Sequence, residues 1–349
     1  MKFLRPNPGQ SIDLFRMLAQ QEGYTFSDPE STEKFINQIR EEFAKAKSSP
    51  IVLHGFRIQA MFEYVATSLG KCAIVKAEDA GGLHTSDPNI KIPDLRLLLT
   101  DGQEFFVEVK NFYQSSPFEV YKIKKDYKEK LQRYAALFKK DVKLAVYWTR
   151  WNQWTLISFD TIKCNGKKCS LSFEEAMKHN EMAMLGDFIL ATLYPLKFRV
   201  FTDPAHPRTV KENGEAIFRI GRLELYCGEN RIDVPREQSI ALFLMLYGEW
   251  GSSGGEAHIE NKELIYFDFV SQPAQTNDKR TMNDEQIFET IGNMSGMVSR
   301  RFNTMTANKG EVERLSPQTD ISDLGIQIPT DYQGEVLHLW RFILQQSAE

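Results

Sequence analysis

No apolar run in this chain approaches the roughly 20 residues that span a bilayer. The longest, Ser239 to Tyr247 and Asp187 to Leu196, stop well short, so no membrane partner is expected. The opening MKFLRPNPGQ likewise lacks the apolar stretch of a secretory signal. Cysteine is scarce, at positions 72, 164, 169 and 227, which excludes a disulfide-built scaffold and fits a reducing cytoplasm. Cys164 and Cys169 have no second close pair, and His179 is a poor fourth ligand, so CNGKKC reads as a hairpin turn rather than a zinc site. Excess positive charge is missing too. The net charge is -4, which advertises no nucleic acid but does not exclude a local basic surface.

What is present is enough apolar material for at least one large core. A length of 349 residues exceeds what one core usually serves, so two domains are expected. Residues 1–50 read as a helical cover, with Ser11 or Asp13 and then Ser31 or Thr32 as caps. Residues 51–200 read as an α/β core. It starts with a helix over Phe56 to Leu69, stopped by Gly70, and continues with the strand CAIVKA. A hairpin follows, then a basic helix over Tyr121 to Lys140, the strands KLAVYW and TLISF, and an apolar helix over Ser172 to Leu193. From 201 to 349 the chain turns to Pro, Gly and short strands and reads as a C-terminal α+β domain. EQSIALFLMLYGEW is helical, GSSGGE a loop, ELIYFDFV a strand, Asp284 to Thr306 a long helix and VLHLWRFIL a strand. That order admits a winged-helix reading, with Arg300 and Arg301 placed to meet DNA, and equally a domain for a protein partner or a homodimer.

The informative stretch is IPDLRLLLTDGQEFFVEVKNF, Ile92 to Phe112. Thr100-Asp101-Gly102 suits a three-residue hairpin loop with glycine in the left-handed region. Pairing Leu99 with Gln103 sets Leu97 opposite Phe105, Arg96 opposite Phe106 and Asp94 opposite Glu108. Strand alternation then places Lys110 on the face of Glu108, while Leu95, Leu97, Leu99, Phe105, Val107 and Val109 turn into a core. A two-residue Asp101-Gly102 turn would offset this register by one. Two opposed carboxylates repel, and a divalent cation between them removes the repulsion. Hard oxygen ligands favour Mg²⁺ or Mn²⁺, and an adjacent ammonium can orient a water or stabilise charge on a phosphate. A purely structural alternative pairs the two acids with Lys110 or Arg96.

Pro93-Asp94 followed by Glu108-Val109-Lys110 resembles the PD-(D/E)xK nuclease superfamily, over roughly residues 50 to 160. The resemblance implies a restriction-endonuclease-like mixed central sheet flanked by helices and Mg²⁺-dependent cleavage. It further implies metal binding by Asp94, Glu108 and the carbonyl of Val109, and a catalytic Lys110. Glu63 sits where that family often places an acidic residue on the preceding helix. Some members carry Gln and Tyr three residues apart on the following helix; here only Arg133 separates Gln132 from Tyr134, which leaves the subfamily open.

Lys122, Lys124, Lys125, Lys128, Lys130, Arg133, Lys139 and Lys140 form either a phosphate-binding surface or a solvated helix face. Trp148, Trp151 and Trp154 are expected in packing rather than on bases, His54 and His84 as structural residues, and Asp79 and Asp87 as loop formers. The expected function is a cytoplasmic, Mg²⁺-dependent (endo)nuclease acting on DNA. The alternatives are a non-catalytic nucleic-acid-binding or assembly subunit of the same fold, and a partner-activated nuclease effector of a prokaryotic defence system.

Overall fold

The computed structural model describes residues 10–78, 83–274, 288–308, 311–317, 328–329 and 331–345. The chain divides into two compact units. One comprises Met1–Gly186, Arg301–Gly325 and Gln345–Glu349; the other comprises Asp187–Arg300 and Ile326–Leu344.

In the first unit three helices come in succession, α1 (Gln10–Glu22), α2 (Pro29–Lys47) and α3 (Pro50–Ser68). Asp28, rather than Ser31 or Thr32, caps α2, its carboxylate accepting the N–H groups of Glu30 and Ser31 at 3.1 and 3.0 Å. Proline at the first position of α2 needs no partner for its nitrogen, so the cap falls one residue before it. Ser49 caps α3 in the same way. The chain then forms β1 (Cys72–Ala77), β2 (Leu95–Leu99), β3 (Glu104–Phe112), β4 (Tyr121–Lys124), α4 (Lys125–Leu137), β5 (Asp141–Trp148) and β6 (Gln153–Ser158).

The central sheet has the order β1-β2-β3-β5-β6 and is mixed: β3 and β5 run parallel and the other neighbours antiparallel. The expected α/β unit with a mixed sheet flanked by helices is thus present. A parallel pair needs a crossover, supplied here by β4 and α4. Phe62 of α3 meets Trp154 on one face of the sheet, with ring centroids 5.1 Å apart. On the other face, Phe106, Leu144, Val146 and Trp148 pack with Leu131 and Tyr134 of α4. Trp148 and Trp154 are fully buried, as expected, whereas Trp151 is exposed and stacks on Phe173.

Two expectations for this unit change. Tyr121 to Lys140 is not one helix: its first four residues form β4, which pairs with β8 of the hairpin β7 (Cys164–Asn165) and β8 (Lys168–Leu171). Alternation in YKIK buries Tyr121 and Ile123 and exposes the two lysines, a pattern that a basic helix of the same composition conceals. The apolar stretch 172–193 gives only the short helix α5 (Phe173–Lys178) before it becomes extended. CNGKKC is a hairpin as read, with Gly166 at φ +59°. Cys164 and Cys169 are also disulfide-bonded, a bond that the expected reducing compartment would oppose, while Cys72 and Cys227 are free and buried.

The second unit opens with β9 (Ile189–Thr192), β10 (Leu196–Thr202), β11 (Ile220–Cys227), β12 (Asn230–Arg231) and α6 (Pro235–Tyr247). It continues with β13 (Ser252–Glu260), β14 (Glu263–Ser271) and β15 (Glu289–Asn293). The helix α7 (Met294–Thr306) runs across the division and is followed by β16 (Ala307–Asn308), β17 (Glu311–Val312) and β18 (Leu339–Phe342). The main sheet is antiparallel, in the order β12-β11-β10-β14-β13, and a smaller one has the order β15-β9-β18. GSSGGE is therefore largely strand, not loop. The ring of Phe267 lies where a side chain at Gly255 would stand, so packing across the ladder overrides the flexible composition. The helix expected over Asp284 to Thr306 begins only at Met294, and residues 284–287 lie outside the described residues. Glu237 anchors this unit, its buried carboxylate accepting three successive N–H groups from Glu335, Val336 and Leu337.

The register of β2 with β3 follows the sequence expectation: Leu95 faces Val107, Arg96 faces Phe106 and Leu97 faces Phe105. The loop is closed by Leu99 donating to Gln103 at 2.8 Å and by Gly102 donating to Leu99 at 3.1 Å, with Gly102 at φ +90°. A Cβ at Gly102 would meet nothing within 4 Å, so Gly102→Ala isolates the backbone cost. It is expected to destabilise the protein by about 1–2 kcal/mol in denaturant titration.

Candidate active site

Each site residue is placed by the hairpin. The β2–β3 ladder ends at Leu95 and Val107, and Asp94 and Glu108 are the next residues of the two chains beyond it. Asp94 Oδ2 takes the N–H of Val109 at 2.7 Å, and the carbonyl of Asp94 takes the N–H of Glu78 at 2.9 Å. The expected pairing of the two acids lies outside the ladder; what the structure shows is that both approach Lys110, Glu108 through Oε1 and Asp94 through Oδ2.

Glu108 is 1% exposed, although its alternation places it on the face covered by α4 rather than by α3. That face is largely apolar, with Phe106 fully buried on it, so the charge is confined to the open end of the hairpin. Two donors meet one oxygen of Glu108: Lys110 Nζ and the hydroxyl of Tyr127 both donate to Oε1. Oε2 is buried with no hydrogen-bond partner. Lys110 Nζ also donates to the carbonyl of Val109 at 3.0 Å and lies 3.8 Å from Asp94 Oδ2. Its ammonium therefore touches all three oxygen donors.

Tyr127 escaped the sequence reading. It stands in the first turn of α4, and its ring lies 5.6 Å from Lys110 Nζ and 5.2 Å from Lys91 Nζ. Burial, then the charge of Glu108, pushes its phenol far above the ordinary value, and burial does the same to nearby Tyr121. Both hydroxyls stay protonated, and Tyr127 remains a donor to Glu108 at any working pH. The only sequence signal was position: Tyr127, Leu131 and Tyr134 fall four and three residues apart, on the inward stripe of α4.

The other expected residues are placed as follows. Glu63 is half-buried on α3, the helix that packs against the opposite sheet face, and no group of three or more His, Cys, Asp or Glu side chains with metal-holding geometry forms among the described residues. Lys140 and Arg96 both pair with Glu104 and hold it below the usual carboxylate range, while of the structural alternative the pairing of Lys110 with the two site acids is present. Lys122, Lys124 and Lys125 are exposed. Lys128 instead donates to the carbonyl of Ile162 at 3.3 Å, and burial pushes its ammonium below the ordinary value. Arg300 donates to the carbonyl of Tyr247 at 2.6 Å and to Glu249 at 3.2 Å; Arg301 is half-buried. His54 and His84 are exposed, Asp87 accepts the N–H of Asn89 in a turn, and Asp79 lies outside the described residues.

Asp94, Glu108 and the Val109 carbonyl form a set of hard oxygens, one of which is buried and unpartnered. Such a set fits a divalent cation, which would give Oε2 the partner it lacks.

No protein-family model and no curated protein matches the chain. Among solved structures, the chain is similar to the Holliday junction resolvase Hjc of Archaeoglobus fulgidus, an archaeal hyperthermophile, at 14% identity with a TM-score of 0.29, over 38% of this chain and 96% of that chain. A likeness that slight carries no argument.

The fit to a cation has a measurable consequence. Mg²⁺ or Mn²⁺ is expected to raise the melting temperature of the wild type, because a ligand that binds only the folded state stabilises it. Glu108→Gln is expected to abolish the increase while remaining folded by circular dichroism. An equal increase in both proteins would place the ion elsewhere.

Proposed function

We propose that the protein is a metal-dependent nuclease that hydrolyses phosphodiester bonds in DNA, with its active site at the open end of the β2–β3 hairpin. The observation that carries this reading is the buried, unpartnered Oε2 of Glu108 beside Asp94 and Lys110. Asp94, Glu108 and the carbonyl of Val109 would hold Mg²⁺ or Mn²⁺, which when bound supplies Lewis acidity to the phosphate and to a water.

The chain's own residues supply the rest. Tyr127 fixes Glu108 by holding Oε1, which leaves Oε2 as the oxygen still able to take a ligand. Val109 fixes Asp94 in the same sense through its N–H. Lys110 offsets part of the charge of the two acids in the free protein, and its ammonium would orient the attacking water or meet the negative charge that builds on the phosphate. Exposed Lys122, Lys124 and Lys125 supply phosphate contacts that position the strand without reading its bases. The second unit, with a sheet of its own, is assigned to selecting the target or a partner, which includes a second copy of this chain.

A non-catalytic scaffold of the same fold would use the Lys110 ion pair for stability alone. That reading leaves Oε2 of Glu108 unexplained, since a purely structural pair gains nothing from an unpartnered buried oxygen. Incubation of the purified protein with plasmid, linear duplex, single-stranded DNA and RNA, with Mg²⁺ or with chelator, separates the two. Metal-dependent cleavage is expected, and Asp94→Ala or Lys110→Ala should lower it on the order of 100-fold or more while folding is retained. Equal cleavage by wild type and both variants would refute the assignment.

A further inference from the structure

The loop of residues 113–120 leaves β3 just beyond Lys110 and returns at Tyr121. Only about 10 Å of extended chain separates Lys110 from Tyr113. The rings of Phe112 and Tyr121 pack at 5.7 Å, so the two ends of the loop are held together. Within it, the Glu119 carboxylate accepts both the N–H and the hydroxyl of Ser115 at 2.8 Å, and the Glu119 N–H donates to the carbonyl of Ser116 at 3.1 Å. Gln114, 2% exposed, donates through Nε2 to the carbonyl of Glu119 at 3.3 Å. These bonds shape the loop in advance, which lowers the entropy lost when it binds something.

The loop's aromatic side chains face water. Phe118 is 92% exposed and Tyr113 is 74% exposed. Single exposed apolar residues are ordinary, but two on one pre-shaped loop beside a candidate active site are not accounted for by the fold. Immediately after the loop, Lys122 and Lys124 project from β4 into solvent, Lys122 close enough for its charge to act on the Glu119 carboxylate. Exposed aromatic faces followed along the chain by two exposed ammonium groups are complementary to a strand whose bases are unstacked and whose phosphates are negative.

We infer that residues 113–124 bind single-stranded or locally unpaired nucleic acid, with Phe118 and Tyr113 stacking on unpaired bases and Lys122 and Lys124 meeting the phosphates. The inference rests on the nuclease reading and gives its substrate class: a strand delivered to Asp94 and Glu108 with a base out of the stack.

The test is fluorescence anisotropy on the full chain, in chelator, with a labelled single-stranded oligodeoxynucleotide and with the same strand in a fully paired duplex. The wild type is expected to prefer the single strand. Phe118→Ala is expected to weaken single-strand binding roughly tenfold and leave duplex binding unchanged, and Phe118→Trp to restore it. Lys122→Gln is expected to flatten the dependence of log affinity on log salt by about 0.7. Preference for the duplex, or Phe118→Ala binding the single strand as the wild type does, overturns the inference; in the latter case the exposed rings belong to a protein contact. Failure of the nuclease reading is distinct, since it shows as absence of metal-dependent cleavage of either nucleic acid. A wild type that binds neither overturns the inference and leaves the nuclease reading to the cleavage assay.

Discussion

The site depends on one carboxylate kept almost dry. Glu108 sits at the middle of a strand buried on both faces, where an ionised side chain is costly unless it is matched. The surrounding chemistry follows from that constraint. Lys110, two residues along, lies on the same face by alternation and brings a cation to Oε1. Tyr127 reaches the same oxygen from α4, and the N–H of Val109 binds Asp94 rather than Glu108. The matching is one-sided, and the remaining oxygen defines what the site still lacks. Buried unsatisfied groups are rare in native proteins because each costs stability, and this one belongs to a carboxylate whose other oxygen already holds an ammonium and a phenol.

The hairpin also explains why the rest of the first unit is arranged as it is. Its TDG loop fixes the register, the register carries Asp94 and Glu108 to the same open end where Lys110 meets both, and the apolar alternate residues anchor the strands against α3. The parallel step from β3 to β5 requires a crossover, and the crossover supplies both α4 with Tyr127 and the exposed lysines of β4. Sheet topology thus places an acidic centre, its positioning phenol and a cationic approach within one connected stretch of chain.

Much of this was legible in the sequence because it is local. A glycine that must adopt positive φ at Gly102, strand alternation from Leu95 to Lys110 and the short separation of the two strands are all set by neighbours in the chain. What was not legible is set by partners far away. YKIK became strand because β8, more than 40 residues on, offered it a ladder, and Gly254 and Gly255 lie in a strand because β14 does the same for them. Tyr127 had no local signature, since its role comes from meeting a residue 19 positions earlier across the sheet–helix interface. The capping of α2 by Asp28 was within reach, and the proline after it was the clue.

The central claim is that the free oxygen of Glu108 is a cation ligand. Anomalous diffraction from crystals of the protein soaked in Mn²⁺ tests it most directly. The account predicts a manganese peak within bonding distance of Glu108 Oε2 and an Asp94 oxygen, with Lys110 withdrawn from between the two acids. A saturated crystal with no peak there, and with Lys110 still bridging Asp94 and Glu108, would contradict it.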